Sequence, residues 1–376
     1  MTELELSALR RSPDVEADNL FAWDSADEYL LDASRQTVKD SQPGTIAVIG
    51  DNYGAITLSV VLGGHSPLRV HQDALSGELA LAKNARILSV PSTYSQHRPG
   101  PELLSGAKLV LMRLPRSLSA LEELCWKIAR YAHQEVVVMA AGRVKHMTPA
   151  MNDVLGRYFD TVHASLARRK SRILTASDPR LAGECPFPVS ESHDVGMRKP
   201  LVLSSHGAAF GGGRLDLGTR FLLPQLQQLS QVSTAVDLGC GTGAIAAYLA
   251  LQRPDISVIA VDHSAAAVDS ALLTMRANGV DGQVKVVRDD GLSSLPDASQ
   301  EVIILNPPFH MGATVHSGIA LKLFREASRA LSPGGQLWTV WNTHLGYLRA
   351  LSSIVGPTRQ VDRNPRFTVT VSTRRL

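Results

Sequence analysis

Residues 235–243 read Ala-Val-Asp-Leu-Gly-Cys-Gly-Thr-Gly and are followed by the apolar run Ala-Ile-Ala-Ala-Tyr-Leu-Ala. The residues around Asp237 predict a buried strand, and the run after Gly243 predicts a helix. Glycine at positions 239 and 241 lets the backbone turn tightly and approach a ligand closely, because no Cβ stands in the way. A strand, a glycine-rich turn and a helix in this order are typical of a cofactor site at the carboxyl edge of a parallel sheet.

Acidic residues also end the next two predicted strands. Asp262 follows the strand predicted at 257–261, and Asp290 follows the strand predicted at 284–287. A pyrophosphate binds backbone N–H groups best without a nearby carboxylate, so Asp237 favours S-adenosylmethionine, which carries an ammonium group. Ribose hydroxyls can donate to Asp262, and an adenine amine can donate to Asp290. We therefore predict a binding site for S-adenosylmethionine formed by Asp237, Gly239, Gly241, Gly243, Asp262 and Asp290.

Two other interpretations of these residues stay open. A single aspartate at a strand end is commonly a helix N-cap or a solvated turn residue, so the prediction depends on the whole series. Spacing alone does not exclude an NAD-dependent dehydrogenase, because Ala244 is a tolerated variant of the third glycine in that motif. Asp237 and the motif at 306–309 argue against the dehydrogenase.

The motif Asn306-Pro307-Pro308-Phe309 follows the apolar run 302–305, which predicts the fourth strand of this series. The side-chain carbonyl of Asn306 and the backbone carbonyl of Pro307 can accept the two N–H groups of a planar amine. The two prolines stiffen the segment, and Phe309 offers a flat face on which an extruded base can stack. A rigid turn with Phe309 in the core is the alternative. We predict that these four residues hold an exocyclic amine for methylation.

Composition indicates a globular protein with two domains. At 376 residues the chain exceeds the usual size of one hydrophobic core, and 19% of its residues are charged. The segment 178–200 contains four prolines and lacks periodicity. We therefore predict domains at 1–183 and 201–376, joined by a linker at 184–200. Three scattered cysteines, an acidic N-terminus and the lack of a long apolar run predict a cytoplasmic protein without a metal site or membrane span.

The first half repeats the alternation of strands and helices, which predicts a doubly wound α/β sheet in each half. Aligning Gly54-Ala55-Ile56 with Gly243-Ala244-Ile245 places Val48 on Asp237, and a later stretch places Arg113 on Asn306. An internal repeat of this kind predicts a gene duplication, although any two α/β domains share a strand–glycine–helix pattern. Since the first copy lacks the acid and the asparagine, we expect it to recognise the substrate without binding the donor.

Asp237-Leu238-Gly239-Cys240-Gly241-Thr242-Gly243 together with Asn306-Pro307-Pro308-Phe309-His310 resembles the ribosomal RNA (guanine-N2) methyltransferase family. The stretches 22–31 and 341–347 look like the large-subunit type more than the small-subunit type. The resemblance implies two tandem Rossmann-like class I methyltransferase domains, the first degenerate. It also implies S-adenosylmethionine as cofactor, a guanine N2 of 23S rRNA as target, and a segment 210–220, including Asp216, that folds over the donor. This chain departs from the family pattern by three glycines after Phe210.

A protein that binds RNA needs exposed cations, and the sequence contains two groups of Arg and Lys residues that could supply them. They are Arg168, Arg169, Lys170 and Arg172 in the first half, and Arg359, Arg363, Arg366, Arg374 and Arg375 in the second. The net charge of only +3 permits nucleic acid without demonstrating it. We expect a monomer that methylates rRNA. The alternatives are another planar amine (guanine N2 of 16S rRNA, adenine N6, cytosine N4 or a glutamine side chain) and a ribosome-assembly factor that has lost catalysis.

Overall fold

The computed structural model describes residues 4–180, 183–307 and 313–375. In the helix that begins at residue 313, side chains are described only from residue 318 onward. The chain divides into two compact units, Met1–Phe187 and Pro188–Leu376. No helix among the described residues is both long and apolar enough to cross a membrane.

The first unit contains one seven-stranded sheet with helices on both faces. Its strands are β1 Ile46–Ile49, β2 Leu68–His71, β3 Tyr94–Gln96, β4 Leu109–Arg113, β5 Val137–Arg143, β6 Phe159–Ala164 and β7 Ser171–Pro179. Its helices are α1 Ser25–Asp40, α2 Ala55–Leu62, α3 Leu75–Ile87, α4 Pro101–Leu104, α5 Leu118–Tyr131 and α6 Ala150–Tyr158. The strand order is β3-β2-β1-β4-β5-β7-β6, and only β7 runs against both of its neighbours.

The second unit contains a second seven-stranded sheet and a small hairpin. Its strands are β8 Val189–His193, β9 Leu201–Ser205, β10 Thr234–Leu238, β11 Ser257–Asp262, β12 Val284–Arg288, β13 Gln300–Leu305, β14 Leu331–Asn342, β15 Thr358–Arg363 and β16 Phe367–Thr373. Its helices are α7 Leu217–Leu222, α8 Ala244–Gln252, α9 Ala265–Asn278, α10 Ala313–Ala330 and α11 Leu348–Ile354. The strand order is β12-β11-β10-β13-β14-β16-β15, and β8 and β9 form the separate antiparallel hairpin.

Both faces of the second sheet are buried, which explains why its central strands are continuous apolar runs. Successive residues of β13 show this, because Ile304 packs with α8 and α9 on one face while Ile303 packs with α10 on the other. The predicted α/β fold class is therefore confirmed, with two sheets that are mainly parallel.

The two sheets share their strand order and their register, as expected of an internal repeat. Ile49 of β1 pairs with Met112 of β4, and Leu238 of β10 pairs with Leu305 of β13. Each first strand also leads to a helix whose N-cap is a left-handed glycine, Gly54 in one copy and Gly243 in the other. The position of Arg113 at the end of β4 therefore corresponds to that of Asn306 after β13.

Two predicted segments differ in the structure. The helix expected at 22–31 begins only at Ser25, because Asp24 and Asp27 form a capping box that fixes the helix start, so Trp23 precedes the helix and packs against the core. The segment expected to be a linker contains β8, whose sequence Val-Ser-Glu-Ser-His is polar and largely exposed. A strand that covers little apolar surface has no hydrophobic alternation by which sequence could reveal it.

Candidate active site

The glycine-rich turn after β10 leaves open space beside its backbone. Gly239 and Gly241 have φ of +71° and +53°, and a Cβ on either would meet no atom within 4 Å. A ligand can therefore approach this backbone closely. Gly243 differs, because its Cβ would lie 2.6 Å from Met275 Cε and 3.1 Å from Ala271 Cβ. The packing of α8 on α9 thus explains the glycine at 243 without a ligand.

Asp237 lies buried beneath this turn. Its Oδ2 accepts a hydrogen bond from Ala246 N at 3.0 Å, while Oδ1 has no partner among the described residues. Burial, together with the nearby charge of Asp262, raises the pKa of Asp237 to about 7 despite the Ala246 hydrogen bond. A buried carboxylate oxygen without a partner is a site that a cationic or hydrogen-donating ligand would stabilise.

The raised pKa makes stability depend on pH. Between the ordinary pKa of 3.8 and about 7, the folded protein binds more protons at Asp237 than the unfolded chain does, so folding stability falls as pH rises through this window. Asp237→Asn removes this titration. We expect its stability relative to the unsubstituted protein to rise by about 2–3 kcal/mol between pH 5 and pH 8. Chemical denaturation at both pH values without donor measures the difference, and a difference independent of pH would contradict the prediction.

Asp262 and Asp290 lie at the same edge of the sheet, at the ends of β11 and β12. Asp262 accepts from Gly241 N and Ser264 N, each at 2.9 Å, which ties it to the glycine-rich turn. Both oxygens of Asp290 lie 2.8 Å from Lys322 Nζ. The adjacent Asp289 instead accepts hydrogen bonds from the side chains and backbone of its own turn, including Ser294 N at 2.7 Å. Asp290 is only half-buried, whereas Asp289 is buried and bonded within its own turn, so Asp290 is the better placed of the two to bind a ligand.

Asn306 is held in one orientation by the N-cap residue of α7 and by a residue within that helix. Its Nδ2 donates to Asp216 Oδ2 and to Thr219 Oγ1, each at 2.9 Å. Because the Asp216 carboxyl oxygen accepts this hydrogen bond, the amide turns its NH2 group towards Asp216. Its Oδ1 is left buried, with no partner among the described residues. Asn306 thus presents an acceptor of the kind that the amine of a substrate requires.

Register places this acceptor beside the glycine-rich turn. Leu305 pairs with Leu238 in the neighbouring strand, so Asn306 and Gly239 leave adjacent strands at the same level. Pro307 follows and is buried. Pro308 and Phe309, which complete the predicted motif, lie outside the described residues.

The segment 210–220 contributes to this site differently from the expectation. Asp216 is the N-cap of α7, and its Oδ2 accepts from Thr219 N at 3.0 Å as well as from Asn306. Gly213 packs against β8, where its carbonyl lies 2.7 Å from His193 Nε2. Donor binding by Asp216 stays a prediction, whereas its contact with Asn306 is direct. Sequence reasoning missed Thr219 and Lys322, and the only available signal was the capping pattern of Asp216 and Thr219.

The corresponding edge of the first unit is occupied by its own side chains. Arg113 forms ion pairs with Asp24, at 3.1 Å, and with Asp27. Asp51 is fully buried, and its carboxylate accepts from Ile56 N and Thr57 N at the start of α2. A buried carboxylate therefore covers the helix N-terminus in this copy, and a bulky cation replaces Asn306.

The cations predicted to bind RNA fall into different groups. Arg168 and Arg169 pair with Asp32 and Glu28, so a large part of their charge is already neutralised. Arg374 donates to backbone carbonyls of 329 and 331 and is structural. Of the predicted groups, Lys170, Arg359, Arg363, Arg366 and Arg375 are exposed and pair with no carboxylate among the described residues. Outside these groups, Arg116 and Lys145 share both properties.

Two family models match the chain along almost its whole length. Residues 200–371 match the methyltransferase small domain, and residues 1–180 match the RLMG N-terminal domain. Among solved structures, the T. thermophilus 16S rRNA N2 methyltransferase RsmC, in complex with AdoMet and guanosine, has the same fold. It superimposes with a TM-score of 0.75 at 19% identity, over 94% of this chain and 92% of its own. The fold and the site therefore define a methyltransferase.

Curated relatives give the family. The ribosomal RNA large subunit methyltransferase G of Streptomyces avermitilis is 35% identical over 371 residues, which are 96% of this chain and 95% of the relative. The protein of the same name from Pseudomonas paraeruginosa is 35% identical over 363 residues, 96% of each chain. The chain belongs to the ribosomal RNA large subunit methyltransferase G family.

Proposed function

We propose that the protein transfers a methyl group from S-adenosylmethionine to the exocyclic N2 amine of a guanine in 23S rRNA. The observation that carries this proposal is the orientation of Asn306, whose Oδ1 is a buried acceptor without a partner among the described residues. Leaving such an acceptor unpaired costs about 1–3 kcal/mol, which an N–H group of the bound amine would recover. Family membership supports the large-subunit RNA as substrate.

The residues of the glycine-rich turn fit S-adenosylmethionine. Gly239 and Gly241 leave space for the ligand, and the unpaired Oδ1 of Asp237 suits the ammonium group. Asp262 keeps free lone pairs for the ribose hydroxyls, and Asp290 suits the adenine amine. When bound, the donor supplies a methyl group on a positively charged sulfur, so no metal or strong base is needed.

Asn306 and Pro307 promote the chemical step by holding the amine in a reactive orientation. The lone pair of an aromatic amine is delocalised into the ring and attacks poorly. Acceptance of its two N–H groups by Asn306 Oδ1 and the Pro307 carbonyl directs the lone pair towards the methyl group. Transfer would form an N–C bond as the S–C bond of the donor breaks, which would release S-adenosylhomocysteine, and the methylated amine would then lose a proton to solvent. We propose that Asp216 and Thr219 are positioning residues, which act only by orienting Asn306.

We propose that residues 1–183 recognise RNA and that residues 201–376 catalyse. The partly buried Arg113–Asp24–Asp27 cluster supports a non-catalytic role for the first unit, because Arg113 stands where the second unit has the acceptor Asn306. Arg116 and Lys145 support RNA recognition by this unit, since both are exposed and follow adjacent parallel strands β4 and β5. A cytoplasmic protein fits this assignment, because its proposed substrate is ribosomal RNA. A monomer fits it as well, because the proposed site residues lie at one edge of a single sheet.

Transfer of a labelled methyl group tests the function. The protein is incubated with radiolabelled S-adenosylmethionine and deproteinised 23S or 16S rRNA, and the RNA is digested to nucleosides. We expect label in N2-methylguanosine from 23S rRNA. Label in N6-methyladenosine, or only in 16S rRNA, would reject the proposed target. If calorimetry detects no donor binding and no RNA is labelled, the chain is a non-catalytic assembly factor and the proposal fails.

A further inference from the structure

A groove of about 570 Å³ lies between α7 and the turn that joins β15 to β16. Leu217, Arg220 and Phe221 line it from the helix, and Asn364, Arg366 and Phe367 line it from the turn. Its size is within the range of sites for small ligands. Nothing in the site described above uses this groove.

The groove adjoins the acceptor for the amine. Phe367 begins β16 opposite Asn342, the last residue of β14, which places the turn at the same sheet edge as Asn306. A Cβ on Gly218 would lie 3.4 Å from Phe367 Cε1 and 3.6 Å from Asn306 Oδ1. Gly218 therefore lies between one wall of the groove and the acceptor of Asn306.

The lining combines flat apolar surface with positive charge. The rings of Phe221 and Phe367 stack with centroids 6.3 Å apart and planes at 29°, and the Arg366 guanidinium lies 5.3 Å from the Phe367 centroid. Arg220 and Arg366 are exposed and form no ion pair with a carboxylate of the described residues, and Arg220 Nη1 donates to the Asp194 carbonyl at 3.0 Å. Aromatic faces bind bases, and arginines without a carboxylate partner bind phosphates.

The turn is rigid before any ligand arrives. Asn364 Oδ1 accepts from Arg366 N at 2.8 Å and from Phe367 N at 2.7 Å. The Arg366 carbonyl accepts from Thr343 N at 2.9 Å, which ties the turn to the end of β14. A preformed wall reduces the ordering cost of binding.

We propose that this groove binds the nucleotide next to the target guanosine in the RNA, with its base against the apolar wall and its phosphate at Arg220 and Arg366. A base that is extruded for methylation stays linked to its neighbours through the backbone, so a neighbour must lie close to Asn306. Sequence-selective RNA recognition commonly uses such splayed, stacked bases. This inference rests on the proposed function and adds a contact that determines specificity.

Kinetics with Arg366→Ala test the groove, with Arg276→Ala as the matched control. Arg276 is also exposed and lacks an acidic partner among the described residues, but it lies in the last turn of α9. With deproteinised 23S rRNA we expect Arg366→Ala to raise KM about tenfold, to leave kcat and donor affinity unchanged, and to lower the salt slope of binding by about one. Arg276→Ala should match the unsubstituted protein. Equal KM values for the two variants would overturn the inference.

Competition by small nucleotides tests whether a nucleotide next to the target guanosine occupies the groove. Guanosine and the dinucleotides ApG and GpA are each added as competitors of 23S rRNA in the same assay. We expect one dinucleotide to inhibit about tenfold more strongly than guanosine, and Arg366→Ala to abolish that advantage. Equal inhibition by all three compounds would overturn the inference. A defect of Arg366→Ala that is seen with ribosomal particles and not with deproteinised RNA would also overturn it, because it would indicate that the groove binds a protein. If the unsubstituted protein labels no RNA, the proposed function itself fails, which is a separate outcome.

Discussion

Asn306→Ala is expected to lower kcat for methyl transfer by about 10²–10³-fold, the usual effect of deleting one preorganised hydrogen-bonding group at a reacting centre. The substitution removes the buried Oδ1 that accepts the N–H group of the amine. Donor affinity should stay nearly unchanged, because the residues proposed to bind the donor follow β10, β11 and β12 rather than β13. Single-turnover rates and calorimetric titration with S-adenosylmethionine measure the two quantities separately.

Comparison of the loss of rate with the loss of donor affinity shows whether Asn306 is catalytic or structural. Truncation also leaves Asp216 and Thr219 without the Asn306 NH2 group, so thermal unfolding must be recorded as a control for local damage. A large loss of rate with normal donor affinity and a normal melting temperature identifies a catalytic residue. Equal losses of rate and donor affinity would show that Asn306 is only structural.

Sequence could predict the sheet edge because the physical signals are local. Buried parallel strands are continuous apolar runs, and the polar residue that ends each run marks the carboxyl edge. Asp237, Asp262, Asp290 and Asn306 were located in this way. The repeat was equally visible in the match of Gly54-Ala55-Ile56 with Gly243-Ala244-Ile245, and both glycines are left-handed N-caps in the structure.

Pairings between distant residues could not be predicted. Asp216 contacts Asn306 across 90 positions of the chain, and Lys322 reaches Asp290 across 32. No periodicity records such contacts. For the same reason, the sequence could not show which cations are free to bind RNA. Arg168 and Arg169 form a basic run, but their acidic partners lie in α1, more than a hundred residues earlier. Charge in a sequence therefore predicts a binding surface only after its partners are known.

Asp216 is the second site where a large effect is expected, and three substitutions separate its roles. One oxygen, Oδ2, accepts from both Thr219 N and Asn306 Nδ2. Asp216→Asn keeps an oxygen at this position, so we expect nearly normal kcat. Asp216→Ser keeps a helix cap but is too short to reach Asn306, and Asp216→Ala keeps neither contact. We expect both to lower kcat about 10–10²-fold, since the amide is then held only by Thr219.

Stability and donor affinity distinguish positioning from the other roles of Asp216. Asp216→Ala should lower the free energy of unfolding by about 1 kcal/mol through loss of the cap, whereas Asp216→Ser should not. A rate loss shared by both variants therefore cannot come from the cap. If Asp216 instead binds the ammonium group of the donor, Asp216→Asn would weaken donor affinity by removing the charge. Normal donor affinity in Asp216→Asn together with slow transfer in Asp216→Ser requires that the carboxylate acts through Asn306.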